Sequence, residues 1–100
     1  MKKEPVKVQE APAAARVKDF EEVVKGFSEE EALAEASRCI QCKDPKCVAS
    51  CPVGVDIKTF IGHINNKDYK NAYLTIRQKN NFPCICGRVC PAEYQCRKGC

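Results

Sequence analysis

Four cysteines and a proline fall within CIQCKDPKCVASCP, Cys39 to Pro52, and five more cysteines lie in CICGRVCPAEYQCRKGC, Cys84 to Cys100. Nine thiols in 100 residues restrict the possible folds severely. A chain this short buries too little apolar surface to rest on a core alone, so covalent or metal staples are expected to supply stability. Disulfides need an oxidising compartment, and an odd count leaves one thiol over. The N-terminal MKKEPVKVQEAPAAAR is basic but has no apolar stretch of the kind a secretory signal carries. The expectation is a reducing, cytoplasmic setting in which the thiols bind metal.

The remaining sequence reads as all-α. Residues 1–17 mix prolines, alanines and charges without a clear period and are expected to form a flexible, extended arm, leaving 18–100 as the folded domain. KDFEEVVKGF spaces Phe20, Val23, Val24 and Phe27 as a helix would, with Gly26 placed as a C-cap. Ser28 and Glu31 have capping-box spacing for a helix that turns Leu33, Ala36 and Ile40 inward and carries Cys39 at its end. Asp56 and Asp68 are expected N-caps. The first precedes a helix with an apolar stripe of Ile57, Phe60, Ile61 and Ile64, the second one facing in through Tyr69, Ala72, Tyr73 and Ile76. Pro83 stops that pattern, and a short helix is expected from Pro91. Two cysteine-rich loops thus bracket a helical hairpin.

The first block has the spacing C-x2-C-x4-C-x3-C-P, with Cys39, Cys42, Cys47 and Cys51. In two-cluster bacterial ferredoxins the comparable run is C-x2-C-x2-C-x3-C-P, whose fourth cysteine serves the other cluster. By that geometry Cys51, turned away by Pro52, serves a second site. The first site then draws its fourth ligand from the distal block of Cys84, Cys86, Cys90, Cys96 and Cys100. Structural zinc is the competing reading, yet zinc sites usually pair two C-x2-C half-sites and only one is present. His63 is read as an ordinary helical histidine. The glycines at 26, 54, 62, 87 and 99 make no dinucleotide-binding fingerprint. The net charge of +4 is scattered among acids, which argues against nucleic acid, and no apolar run approaches the length of a membrane span.

Both cysteine blocks, both Cys-Pro pairs and the helices between them, from EEALAEASRCIQCKDPKCVASCPVGVDIKTFI to NNFPCICGRVCPAEYQCRKGC, resemble the N-terminal domain of the glutamate synthase small (β) subunit. The same domain occurs in the NADH-dependent ferredoxin:NADP oxidoreductase large subunit and in dihydropyrimidine dehydrogenase. The resemblance implies an α-helical ferredoxin fold carrying two [4Fe–4S] clusters. It assigns Cys39, Cys42, Cys47 and Cys100 to one cluster, and Cys51, Cys90 and Cys96 to the other. The fourth ligand of the second cluster is a Gln or Glu beyond the last cysteine in that family. Here that position lies past Cys100, and Cys86 or Cys84 is the local candidate.

The same resemblance implies electron relay between an FAD- and NAD(P)H-binding module and a partner of glutamate synthase large-subunit or ferredoxin type. No catalysis is expected from this chain alone. FAD and NAD(P)H belong to domains or subunits outside it. A free-standing ferredoxin-like subunit is the alternative, and a zinc-stabilised interaction domain a further one. Lys43, Lys46, Arg88, Arg97 and Lys98 flank the ligands, where positive charge favours a reduced cluster and an acidic partner.

Overall fold

The computed structural model describes residues 4–100. It divides into two compact units, one ending at Arg38 and one running from Cys39 to Cys100. Among the described residues every element is helical, and one isolated antiparallel bridge, Glu10 with Val24, is the only extended pairing. The all-α reading therefore holds.

In the first unit, α1 (Ala13–Arg16) and α2 (Glu29–Ala36) flank an irregular segment. The first three residues of the expected arm lie outside the described residues. The helix expected over residues 18–27 does not form. Ala11 N–H donates to the Val23 carbonyl and Lys25 N–H to that of Gln9, both at 2.8 Å, drawing this stretch into the bridge. The Asp19 carboxylate accepts from Glu21 N–H at 3.1 Å, a local turn that competes with helix. Consecutive β-branched Val23 and Val24 add little helix propensity, and Phe20, fully exposed at 108%, earns no burial for a helix there. The left-handed Gly26, φ 79°, then turns the chain toward Ser28.

Helix α2 starts where its signals put it. Ser28 Oγ accepts from Glu31 N–H at 3.2 Å and Glu31 Oε1 accepts from Ser28 N–H at 3.0 Å, completing the capping box. Its end comes sooner than the apolar spacing suggests. Ser37 folds its hydroxyl back onto the Ala34 carbonyl at 2.6 Å, so Ala36 is buried while Ile40 lies beyond the helix and is 64% exposed. Glu35 accepts the Val6 N–H at 2.6 Å and pairs with Arg38.

The second unit contains α3 (Lys46–Ser50), α4 (Ile57–Asn65), α5 (Tyr69–Arg77), α6 (Pro83–Val89), a 3-10 turn (Ala92–Tyr94) and α7 (Cys96–Gly99). Helices α4 and α5 form the expected hairpin, closed by Lys67 in the left-handed region at φ 59°. Asp56 caps α4 by accepting from Thr59 N–H, and Asp68 caps α5 by accepting from Asn71 N–H. The buried face of α5 is Ala72 and Thr75, with Tyr69 and Tyr73 turned outward instead of inward. Tyr73 has an outward partner, because Arg77 Nη1 donates to its hydroxyl at 2.9 Å. Both cysteine blocks contain short helices where loops were expected. Pro45 and Pro83 open α3 and α6, since proline's fixed φ and missing N–H suit a helix start.

Hydrogen bonds from Asn71 hold the Asp68 carboxyl below its ordinary value of 3.8. A depressed folded-state pKa contributes stability that is present above the unfolded value and lost as pH falls through the folded one. The helical signal of α5 is therefore expected to weaken only below about pH 3.8, and Asp68→Asn, which caps without titrating, should flatten that step in an acid titration followed by circular dichroism.

Candidate metal centre

Five of the nine cysteines sit at helix ends. Cys47 is the second residue of α3 and Cys51 its C-cap, Cys90 is the C-cap of α6, and Cys96 opens α7, which Cys100 closes. Cys84 and Cys86 lie within α6. Helix α3 packs against α7, and this contact brings the two sequence blocks together. Gly99 is the reason they can approach. A Cβ at that position would lie 2.5 Å from Ser50 Oγ and 2.7 Å from the Lys46 carbonyl oxygen, so only hydrogen fits.

Burial raises the Cys47 thiol above its ordinary value, and the nearby Cys100 and Cys39 sulfurs push it the same way. The Cys90 thiol is also raised although the residue is exposed, by local desolvation first, then by Cys86, Cys51 and Cys96. Cys39 and Cys100 are thus close enough to Cys47 to act on it, as Cys51, Cys86 and Cys96 are to Cys90. Cys42 and Cys84 act on neither thiol; both are exposed, as Cys90 and Cys100 are. Arg88 Nη1 donates to Cys84 Sγ at 3.1 Å and to its carbonyl at 3.0 Å. None of the nine cysteines is joined in a disulfide.

The donor sets fit iron–sulfur chemistry, being all thiol and drawn from both blocks. Among the described residues no three Cys, His, Asp or Glu side chains close tightly enough to surround one metal ion. A cuboidal cluster binds one thiolate at each of four separate irons and so takes ligands spaced more widely than those of a single ion.

The local backbone explains part of the arrangement. Gln41, between Cys39 and Cys42, adopts φ 53°, a left-handed turn that folds the two-residue gap back on itself. After Cys51 and Pro52 the chain reverses at Gly54, φ 70°, whose N–H donates to the Cys51 carbonyl at 3.0 Å. Val55 then enters the core at 6% exposure. His63 Nδ1 lies 3.8 Å from Asp68 Oδ2 at the α4–α5 turn, consistent with a structural histidine. Sequence reasoning missed Gln41, whose left-handed conformation has no signal in residue type, and Gly99, whose role depends on a distant helix.

Residues 16–100 match the family described as dihydropyrimidine dehydrogenase domain II, 4Fe–4S cluster. The chain is 40% identical over 89 residues to the glutamate synthase [NADPH] small chain of Azospirillum brasilense, covering 89% of this chain and 18% of that protein. It is 41% identical over 81 residues to the NAD-dependent dihydropyrimidine dehydrogenase subunit PreT homolog of Salmonella typhi, covering 81% of this chain and 20% of that protein. PreT of Escherichia coli strain K12 is 40% identical over the same length. The chain thus spans about a fifth of the length of these relatives. With both cysteine blocks inside the matched span, the chain belongs to the family of 4Fe–4S domains described as dihydropyrimidine dehydrogenase domain II.

Proposed function

We propose that this chain holds two [4Fe–4S] clusters and serves as the electron-transfer module between a flavin- and NAD(P)H-binding part and a further redox centre of a glutamate synthase-like or PreT-like oxidoreductase. The observation that carries this is the packing of α3 against α7, which brings the two cysteine blocks together, within a span that matches a 4Fe–4S family. Cys39, Cys42, Cys47 and Cys100 hold the first cluster. Cys51, Cys90 and Cys96 hold the second, and Cys86, which stands beside Cys90, is the further thiol this chain offers it. Bound clusters supply one-electron acceptance and release.

The chain's own residues set the conditions for that exchange. Short helices hold Cys47, Cys51, Cys90, Cys96 and Cys100 at their ends, and Lys43, Arg97 and Lys98 leave positive charge on the exposed surface around them. Lys46 is partly offset by Asp44, 2.9 Å away. The remaining positive field favours an acidic face on the flavin-bearing partner and gives an association rate that falls with salt.

Iron and acid-labile sulfide measured on anaerobically prepared protein, with an EPR spectrum after dithionite, test the proposal. About eight irons per chain with a magnetically coupled reduced spectrum is the expected result. Cys96→Ser should remove roughly half of that iron, and Cys86→Ser should do the same if Cys86 is the fourth ligand. Retention of all iron in Cys86→Ser excludes Cys86 and leaves Cys84 or a group outside this chain as the fourth ligand. Zinc in place of iron overturns the proposal.

A further inference from the structure

Gln41 stands apart from the rest of the cysteine blocks because its side chain makes contacts that no ligand role explains. Its Nε2 lies 3.2 Å from Cys39 Sγ and 3.1 Å from the Lys58 carbonyl oxygen in the first turn of α4. A backbone carbonyl only accepts, so the atom facing it is the amide nitrogen, and that same nitrogen faces the sulfur. Both amide hydrogens are then used, one on each acceptor. The Gln41 backbone N–H also points to Cys39 Sγ, at 3.5 Å. One sulfur thus receives two N–H groups from a single residue.

The placement of that amide is built into the fold. Gln41 holds the left-handed φ of 53°, a conformation rare outside glycine, which swings its side chain from the cysteine turn toward α4. The space it occupies is left open by Gly62, where a Cβ would already lie 3.5 Å from Gln41 Oε1. Larger side chains at 62 would occupy the amide's position. The backbone conformation of residue 41, the small residue at 62 and the carbonyl at 58 therefore converge on one outcome, an amide fixed against the Cys39 sulfur.

We infer that Gln41 is a positioning residue that sets the reduction potential of the cluster bound through Cys39, by donating hydrogen bonds to that ligand's sulfur. This rests on the reading that Cys39 is a cluster ligand. Adding an electron places more negative charge on the cluster and its thiolates. N–H groups aimed at a sulfur stabilise that added charge and raise the potential. The tie to Lys58 keeps the amide in place without requiring the sulfur to hold it. Gln41 would then make the cluster served by Cys39 easier to reduce than its thiolate set alone would allow.

The test is an EPR-monitored potentiometric titration of the reconstituted full chain, with iron counted in every sample. Gln41→Met keeps length and volume but has no side-chain donor, and is expected to shift one of the two midpoints to a more negative potential with iron unchanged. Gly62→Val leaves Gln41 itself in place but intrudes on its amide, and is expected to move the same midpoint in the same direction. Gly62→Ala, whose added carbon makes only an ordinary contact, should leave both midpoints where they are. If Gln41→Met retains too little iron to titrate, Gly62→Val supplies the answer. Unchanged midpoints in the iron-replete variants overturn the inference. Absence of iron from the wild-type chain overturns the cluster reading instead, and iron content distinguishes the two failures.

Discussion

Gly99→Ala is expected to lower the iron at the proposed site of Cys39, Cys42, Cys47 and Cys100, and to disturb the second proposed site as well, because Cys96 opens the same helix α7 and Cys51 caps α3. The added carbon would meet Ser50 Oγ at 2.5 Å, the Lys46 carbonyl oxygen at 2.7 Å and the Lys46 carbonyl carbon at 2.9 Å. The serine hydroxyl can rotate away, but the Lys46 backbone is part of α3 and cannot. Helix α7 must therefore move off α3, carrying Cys100 away from Cys47. Overpacking of a close contact costs about 1–3 kcal/mol, and the lost cluster adds to that. Gly87→Ala is the matched control, because a Cβ there meets nothing within 4 Å and alanine favours its helix. Iron analysis with thermal unfolding of both variants checks this. Full iron in Gly99→Ala would show that the α3–α7 contact is not what holds the first site together.

Removing the clusters is expected to have the other large effect, and to divide the second unit. Its strongly buried apolar residues, among the described residues, are only Val55 at 6% and Ala72 at 4%. A core that small offsets little of the conformational entropy of ordering the chain. Helices α3, α6 and α7 have five, seven and four residues, well below the length at which an isolated helix persists in water. On the proposed function, metal–thiolate bonds supply their order, which couples folding to cluster binding. Helices α4 and α5 differ, with nine residues each, an aspartate cap each and a shared interface. Chelation under anaerobic conditions should abolish amide protection in α3, α6 and α7 and leave residual protection in the α4–α5 hairpin, as measured by hydrogen exchange. Cluster-free protein with native protection throughout would refute the coupling.

Several elements could be read directly from residue types because their causes are local. The capping box of Ser28 and Glu31 and the caps of Asp56 and Asp68 each act over three residues, and all three appear as expected. The segment from Lys18 to Phe27 failed for the opposite reason. Its apolar residues have helical spacing, but a ten-residue helix with no surface to bury its stripe is not favoured over backbone pairing with residues 9–11. The outward Tyr69 and Tyr73 follow the same logic, since spacing alone cannot distinguish the two neighbouring faces that Ala72 shares. Pro83 was legible as a stop yet serves as the start of α6, because proline excludes helix behind it and suits helix ahead of it.

The sequence by itself determined the chemistry of this protein. Thiol spacing, the Cys-Pro pairs and the absence of a nucleotide fingerprint all depend on covalent order along the chain, as does membership of the 4Fe–4S family. Tertiary structure alone decided which thiols become neighbours and what surrounds them. The two cysteine blocks come together because α7 can lie against α3 at a glycine, and the Gln41 amide is held at Cys39 because α4 offers a carbonyl and an empty position. Those arrangements rest on pairs far apart in the chain, Gly99 against Lys46 and Gln41 against Lys58, and their geometry follows from which helices pack together.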